Sequence, residues 1–265
     1  MMIKNSKILI LRRLVQFGIL LLFIGASNFS WNILKGNYST ADVLGIFNLS
    51  DPYFVIQIFS TGFIPNKEVI IGAAIIAIFY FLLRGRMFCS WVCPLNIVTD
   101  LASLLQRKLH IKPLLEEKRI NRSIRYYILG LGLILSAIFG FSAFELINPI
   151  SMLHRALIYG LFTGLFVVLL VFLFDLFVLK HGWCGHLCPV GAFYSVLGKY
   201  GVLKVFHIQE NCTHCMKCKV VCPEIQVLDI IGIKSGTINQ GACTNCGRCI
   251  DVCDDDSLNY KITTK

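Results

Sequence analysis

The chain has 265 residues, of which 56% are hydrophobic and 15% charged, and it carries 25 Lys and Arg against 15 Asp and Glu. Because an average soluble domain has about 25% charged residues, this composition argues against an ordinary globular enzyme. It also excludes disordered and collagen-like chains. The formal charge of +10 and the 12 cysteines have to be explained by where these residues lie along the chain.

Four apolar stretches have about the length that a bilayer requires. They cover residues 14–29, 69–83, 126–144 and 157–179. A transmembrane helix needs about 20 apolar residues, and about 17–25 are tolerated. Because the stretches are apolar nearly all round, they predict an α-helical membrane protein with four transmembrane helices rather than the amphipathic helices of a soluble domain.

The basic residues lie almost entirely on one side of these predicted spans. The two terminal segments and the loop between the second and third spans contain 22 of the 25 Lys and Arg. Since cytoplasmic loops are enriched in basic residues, this bias predicts a multi-pass protein of the bacterial inner membrane with both termini in the cytoplasm. A cleaved signal peptide over residues 1–27 is an alternative. The basic charge is explained by topology and anionic membrane lipid, so nucleic-acid binding is not expected.

A pattern of two cysteines and a proline occurs twice, 95 residues apart, after the second and the fourth predicted span. Its copies are Cys89-x-x-x-Cys93-Pro94 and Cys184-x-x-x-Cys188-Pro189. The chain therefore reads as two parallel repeats, which would bring the four thiols together near the cytoplasmic interface. Three interpretations stay open: redox thiols that share one helix face, an additional metal or cluster site, and unreactive buried cysteines.

Eight further cysteines form two runs near the C-terminus. The runs are Cys212, Cys215, Cys218, Cys222 and Cys243, Cys246, Cys249, Cys253. This is the spacing of bacterial ferredoxins with two [4Fe–4S] clusters, in which the last cysteine of each run ligates the other cluster. The predicted ligands of cluster 1 are Cys212, Cys215, Cys218 and Cys253. Those of cluster 2 are Cys243, Cys246, Cys249 and Cys222.

Neither zinc ribbons nor disulfides fit this arrangement, because zinc ribbons lack two runs of four and cytoplasmic thiols stay reduced. We therefore predict two domains. Residues 1–180 form the membrane domain, whose second repeat extends to residue 205, and residues 206–265 form a cytoplasmic α+β ferredoxin domain. Short β-prone stretches at 227–231 and 258–262 suit the small ferredoxin fold.

The order of spans, paired cysteine elements and cysteine runs resembles the NapH family of membrane ferredoxin-type subunits. The matching stretches are residues 34–39, 88–96, 147–149, 181–192 and 243–253. The resemblance implies an electron-transfer subunit of a quinol dehydrogenase that oxidises menaquinol or ubiquinol. With a NapG-like periplasmic iron–sulfur protein, it would pass electrons to a cytochrome c and then to periplasmic nitrate reductase. The alternatives are the equivalent subunit for nitrous oxide reduction and a redox maturation factor for a respiratory metalloenzyme.

Three polar residues are candidates for the quinol and proton chemistry that this resemblance implies. Asp175 lies within the fourth predicted span, and an intramembrane carboxylate is costly unless it has a function. Glu145 and His154 flank the short connection between the third and fourth spans, and histidine accepts protons near neutral pH. The alternatives are an ion pair or helix contact for Asp175 and a solvated surface histidine for His154.

Overall fold

The computed structural model describes residues 7–29, 31, 33–115 and 120–263. Of the basic residues used for the topology, Lys4, Lys118, Arg119 and Lys265 lie outside the described residues. The chain divides into two compact units. The first comprises the described residues of Met1–Gln16, Ile78–Val92 and Tyr194–Lys265, and the second comprises those of Phe17–Ala77 and Cys93–Phe193.

The N-terminal half of the chain is mostly helical, with a short sheet between the first two helices. In chain order its elements are α1 (Lys7–Phe29), β1 (Leu34–Gly36), β2 (Thr40–Val43), β3 (Phe47–Ser50), α2 (Pro52–Ser60), α3 (Lys67–Leu83), α4 (Met87–Trp91) and α5 (Leu95–Lys108). The three strands form an antiparallel sheet in the order β1-β2-β3. A Cβ on Gly72 of α3 would lie 1.7 Å from the Asn48 carbonyl oxygen, so α3 packs directly on β3.

The next helices lead into two π-helical turns. They are α6 (Ile124–Phe139), α7 (Ala143–Ile147), α8 (Pro149–Tyr159) and α9 (Phe162–Leu173), followed by the π-turns Phe174–Val178 and Trp183–Leu187 and by α10 (Pro189–Leu197). After a 3₁₀ turn at Gly198–Tyr200 come β4 (Leu203–His207), α11 (Lys217–Val221), a 3₁₀ turn at Ile225–Leu228, β5 (Gly236–Thr237), α12 (Arg248–Asp251) and β6 (Leu258–Ile262).

Within the described part of the chain, one helix is long and apolar enough to cross a membrane. This is α1, with 23 residues. At about 1.5 Å per residue it exceeds the roughly 30 Å hydrocarbon core. Shorter apolar helices cover Ile124–Phe139 and Phe162–Val178. The helix α3, which contains the predicted stretch 69–83, has 17 residues.

The third and fourth apolar stretches are not single helices, which differs from the sequence prediction. Gly140 follows α6 with φ of 72°, and Gly160 follows α8 with φ of 65°. A glycine in the left-handed conformation ends a helix, because it turns the chain and satisfies the last carbonyls. Stretch 126–144 is therefore divided between α6 and α7, and 157–179 between the end of α8, α9 and the first π-turn.

The C-terminal segment contains a second antiparallel sheet in the order β5-β4-β6. Strand β6 covers the predicted stretch 258–262, whereas 227–231 is not a strand. Its apolar residues Val227, Leu228 and Ile231 are buried in the core of this segment, so their hydrophobicity reflects packing rather than strand pairing. The central strand is β4, which precedes the first cysteine run.

Candidate iron–sulfur sites and a buried polar cluster

A cavity lies in the first unit, and cysteines from both runs line it. They are Cys222, Cys243, Cys246 and Cys249, the four predicted for cluster 2. Each of the four is at most 9% exposed. Burial raises the pKa of the Cys222 and Cys249 thiols, and the neighbouring thiols raise it further. A buried cavity surrounded by four thiols fits a [4Fe–4S] cluster.

The four thiols predicted for cluster 1 also lie near one another. Burial raises the pKa of the Cys218 thiol, and Cys215, Cys253 and Cys212 add to this effect. This site is more open, because Cys215 is exposed and Cys212 and Cys253 are half-buried. The thiols fit a second cluster by the same donor chemistry. The assignment of individual ligands stays a prediction.

The two cysteine runs fold alike, which explains how each brings its thiols together. His214 and Met216 in the first run have φ of 58° and 57°, and Asn245 and Gly247 at the equivalent positions in the second have 48° and 71°. Alternation of right- and left-handed residues turns successive backbone N–H groups to one side and forms a nest for an anionic group, as at many iron–sulfur sites. Met216 and Gly247 are the N-cap residues that immediately precede α11 and α12.

Residues of the first Cys-x-x-x-Cys-Pro element hold the loop of the second run. The Ser90 hydroxyl donates to the Thr244 carbonyl at 2.7 Å. The Trp91 indole donates to the Asn245 carbonyl at 3.1 Å. Thr244 and Asn245 lie between Cys243 and Cys246, so these bonds connect the residues after Cys89 with the predicted cluster 2 site.

Both Cys-x-x-x-Cys-Pro elements break their helices, as the proline after each pair predicts. Cys89 lies in α4, which ends before Cys93, and Cys184 lies in the second π-turn, which ends before Cys188. Neither pair lies on one regular α-helix, so the shared helix face expected for redox thiols is wrong. Cys89 belongs to the first unit and the other three to the second, and their convergence stays a prediction.

Across residues 7–29, 31, 33–115 and 120–263, no three His, Cys, Asp or Glu side chains are grouped to hold a single metal ion. The additional metal suggested for Cys89, Cys93, Cys184 and Cys188 gains no support from this observation and stays a prediction. Cubane ligands differ from ligands of one ion, because each thiolate binds a different iron of the cluster.

The second unit buries His154 among aromatic rings. The rings of Phe23 and Tyr38 meet the imidazole edge-on at centroid distances of 4.8 and 5.5 Å. His154 is 2% exposed, so the alternative of a solvated histidine is wrong. Burial, with a smaller effect of Arg155, lowers the pKa of His154 to about 4. The imidazole is therefore neutral at pH 7, and its unprotonated ring nitrogen can accept a hydrogen bond.

Among the described residues around His154, some buried polar groups have no hydrogen-bond partner, and two hydroxyl groups donate to one carboxylate oxygen. Such an arrangement suits a proton-transfer site. In the part of the chain that the structure describes, neither ring nitrogen of His154 nor the Tyr38 hydroxyl has a hydrogen-bond partner. Next to Tyr38 in sequence, the Ser39 hydroxyl donates to the Glu145 carboxylate at 2.7 Å, and Ser151 donates to the same oxygen. Sequence reasoning missed Tyr38 and Ser39, whose only signal was the family match over residues 34–39.

Asp175 lies in the first π-turn and is 1% exposed. Its carboxylate accepts a hydrogen bond from the backbone N–H of Trp183 at 2.9 Å. The Gln106 amide donates to the Asp175 carbonyl at 3.0 Å. Asp175 therefore contacts the backbone of Trp183, the residue before Cys184. Its position in a π-turn is also notable, because π-turns are frequent at functional sites. Its role in quinol chemistry stays a prediction.

Comparison with known protein families assigns iron–sulfur functions to the same segments. A family described as "4Fe-4S dicluster domain" matches residues 204–254. A family described as "4Fe-4S binding domain" matches twice, over residues 66–112 and 161–206, and each match contains one Cys-x-x-x-Cys-Pro element. The internal repeat is thus found as two copies of one family. No solved structure matches the chain.

Relatives that match over most of their length are also ferredoxin-type proteins. The ferredoxin-type protein NapH of Escherichia coli is 42% identical over 99% of this chain and 91% of its own length. The NapH of Haemophilus influenzae is 43% identical over 94% and 87%. The methylamine utilization ferredoxin-type protein MauN of Methylobacillus flagellatus is 43% identical over 96% and 89%. The chain therefore belongs to the NapH family of ferredoxin-type proteins, and its role is iron–sulfur electron transfer.

Proposed function

We propose that this chain is a membrane electron-transfer subunit that holds two [4Fe–4S] clusters and carries electrons from quinol toward periplasmic nitrate reductase. The observation that carries the proposal is the grouping of eight thiols in one small segment, four of them around a cavity. Bound clusters supply storage of one electron each. The thiols of this chain hold them, and burial of the second site excludes water from it.

The proposed topology has four membrane crossings with both termini in the cytoplasm. The helices α1 and α3 provide two of them, and α6 and α9 are the apolar cores of the others. The placement of 22 of the 25 Lys and Arg supports this orientation. Because α6 and α9 are short, residues beyond Gly140 and before Gly160 have to complete their crossings.

The buried polar cluster around His154 is the proposed quinol site. Oxidation of a quinol releases two protons with two electrons, so the site needs proton acceptors inside an apolar surface. The neutral imidazole of His154 offers an acceptor nitrogen, and the Glu145 carboxylate held by Ser39 and Ser151 is a second acceptor. The Phe23 ring supplies apolar surface beside them. Protons accepted here would leave on the outer side.

The proposed electron acceptor lies on the periplasmic side of the membrane, whereas the predicted clusters lie on the cytoplasmic side. Electrons therefore need a route across the membrane. The four repeat cysteines are its candidates in this chain, and the family match of both repeats to a 4Fe-4S binding domain supports this. The bonds from Ser90 and Trp91 to the loop of the second run support a path between one repeat element and the proposed cluster 2 site. A NapG-like periplasmic protein and a cytochrome c would complete the path to the reductase.

A second candidate is the same electron transfer in another pathway. MauN relatives are as similar to this chain as NapH relatives, and their name refers to methylamine utilization. The acceptor could thus be a periplasmic enzyme system other than nitrate reductase, including one for nitrous oxide. A maturation factor is the alternative from another class, in which the repeat cysteines act on a metalloenzyme and quinol is not a substrate.

The test is cluster reduction by a menaquinol analogue in lipid nanodiscs, followed by electron paramagnetic resonance (EPR). We expect the quinol analogue to reduce the wild-type clusters. In the His154→Gln variant the rate of this reduction should fall at least tenfold, whereas dithionite should still reduce the clusters of the variant. The matched control is His110→Asn, because His110 is exposed and asparagine tolerates its left-handed conformation. Reduction of the His154→Gln variant at the wild-type rate would contradict the quinol site.

A further inference from the structure

Two buried arginines after α3 approach the loop that carries the second cysteine run. Arg84 and Arg86 are 0% and 1% exposed. The Arg84 guanidinium donates to the Gln240 carbonyl at 2.7 Å, and that of Arg86 to the Ala242 carbonyl at 2.8 Å. Both therefore reach the backbone immediately before Cys243. These contacts lie within the first unit, as does the cavity.

The two arginines differ in how their charge is balanced. Arg86 forms an ion pair with Glu224 at 2.5 Å, and both side chains are almost fully buried. Among the described residues of the same unit, no carboxylate pairs with Arg84. Its Nε and Nη1 atoms are buried and have no hydrogen-bond partner there. Burying an unpaired cation is strongly unfavourable unless a negative group compensates it.

The group that interacts electrostatically with Arg84 is the thiol of Cys243, three residues after the carbonyl that Arg84 binds. A site with four thiolate ligands and a [4Fe–4S] core carries net negative charge, which grows by one unit on reduction. That charge is the missing counterpart of Arg84.

At the first cysteine site, the described residues include a cation of a different kind. The cation beside it is Lys217, which is exposed and pairs with Asp254 at 2.6 Å. Cys215 is also exposed. Solvent and salt screen exposed charges, whereas buried charges are screened much less. The two sites therefore have similar ligands and different electrostatic surroundings.

We propose that Arg84, supported by Arg86, is the counter-charge of the site formed by Cys222, Cys243, Cys246 and Cys249 and makes it the more easily reduced of the two. The inference rests on the proposed occupancy of both sites. A single electron on this segment then resides on the second site, beside Ser90 and Trp91. When it arrives from the first site, that site is oxidised by one electron, the second is reduced by one, and no proton moves.

The first experiment is a redox titration of the purified full-length protein in lipid, monitored by EPR. The signal that Cys222→Ser removes identifies the second site. In the wild type we expect this signal to appear at the higher potential. If it appears at the lower potential, the inference is wrong. Because this measurement needs no arginine variant, it decides the order even where such a variant fails to assemble.

The second experiment compares Arg84→Gln with Arg84→Lys. At a fixed potential we expect Arg84→Gln to lower the ratio of reduced to oxidised second site about tenfold, equivalent to about 59 mV for one electron. Arg84→Lys keeps the charge and should stay within about threefold of the wild-type ratio. Lys217→Gln is the control and should change neither site measurably. An unchanged ratio in Arg84→Gln would overturn the proposal.

Iron content separates failure of this inference from failure of the proposed function. About eight irons per wild-type chain are expected for two occupied sites. A wild-type value of four or fewer would overturn the occupancy and the inference with it. About eight irons with the opposite order of potentials would overturn the inference alone.

Discussion

The two cysteine sites share one local design and differ in what surrounds them. Both use a loop with two left-handed residues followed by a short helix. The second site is closed, with four buried thiols and the buried arginines Arg12, Arg84 and Arg86, whereas the first has an exposed Cys215 and an exposed Lys217–Asp254 pair. Spacing within a run therefore specifies the ligand geometry, whereas residues distant in sequence set the electrostatics of each site.

The largest effect is expected from removing one ligand that crosses between the runs. Because Cys222 lies at the second site, Cys222→Ser should lose the cluster held with Cys243, Cys246 and Cys249. Iron content should fall from about eight to about four per chain, and the EPR signal of one cluster should disappear. Cys212→Ser is the matched control and should remove the other signal. If Cys222→Ser damaged only the first site, the exchange of ligands between runs would be refuted.

A smaller effect is expected from breaking the ion pair beside the second site. The side chains of Arg86 and Glu224 are 2% and 3% exposed. Removing one partner of a buried pair leaves an uncompensated charge and costs about 3–5 kcal/mol. Arg86→Gln should therefore lower the thermal stability of the iron-loaded segment markedly, measured as thermal loss of cluster absorbance.

The matched change at the first site is Lys217→Gln. The Lys217 and Asp254 side chains are 39% and 50% exposed, so water already solvates both charges. We expect no measurable change in melting temperature. Equal destabilisation by Arg86→Gln and Lys217→Gln would show that burial does not distinguish the two sites.

The smallest measurable effect concerns the start of α1. The Asp251 carboxylate accepts hydrogen bonds from the backbone N–H groups of Ile8 and Leu9 at 3.3 and 3.1 Å. The first N–H groups of a helix lack intrahelical partners, so Asp251 acts as a cap supplied from α12. Asp251→Ala should cost about 1 kcal/mol, and Asp251→Asn less because it keeps an acceptor oxygen. If calorimetry gave the same melting temperature for the wild type, Asp251→Ala and Asp251→Asn, the capping role of Asp251 would be contradicted.

Much of the iron–sulfur chemistry could be predicted from the sequence because it depends on local spacing. The two runs, the helix breaks at Pro94 and Pro189 and the strand at 258–262 all follow from neighbouring residues. No such local signal marks Arg84, since its partner Gln240 is far away in the chain. The helix ends at Gly140 and Gly160 could not be predicted, because both glycines lie within apolar stretches and hydropathy carries no information about a left-handed φ.

The contacts of the buried polar cluster around His154 could likewise not be predicted from neighbouring residues in the chain. Glu145 and His154 could be selected by their charge and position, but Tyr38 and Ser39 reach them through the fold of a connection that has no periodic pattern. Long-range contacts of this kind depend on how α1, β2 and α8 pack. A single sequence does not specify that packing.

The proposed electron transfer depends on a C-terminal segment that holds two [4Fe–4S] clusters, each accepting a single electron. The most direct test is iron and sulfide analysis of the anaerobically purified full-length protein, combined with EPR of the dithionite-reduced sample. We expect about eight irons and eight sulfides per chain and signals from two clusters. Four or fewer irons, or stoichiometric zinc with no reducible signal, would contradict it.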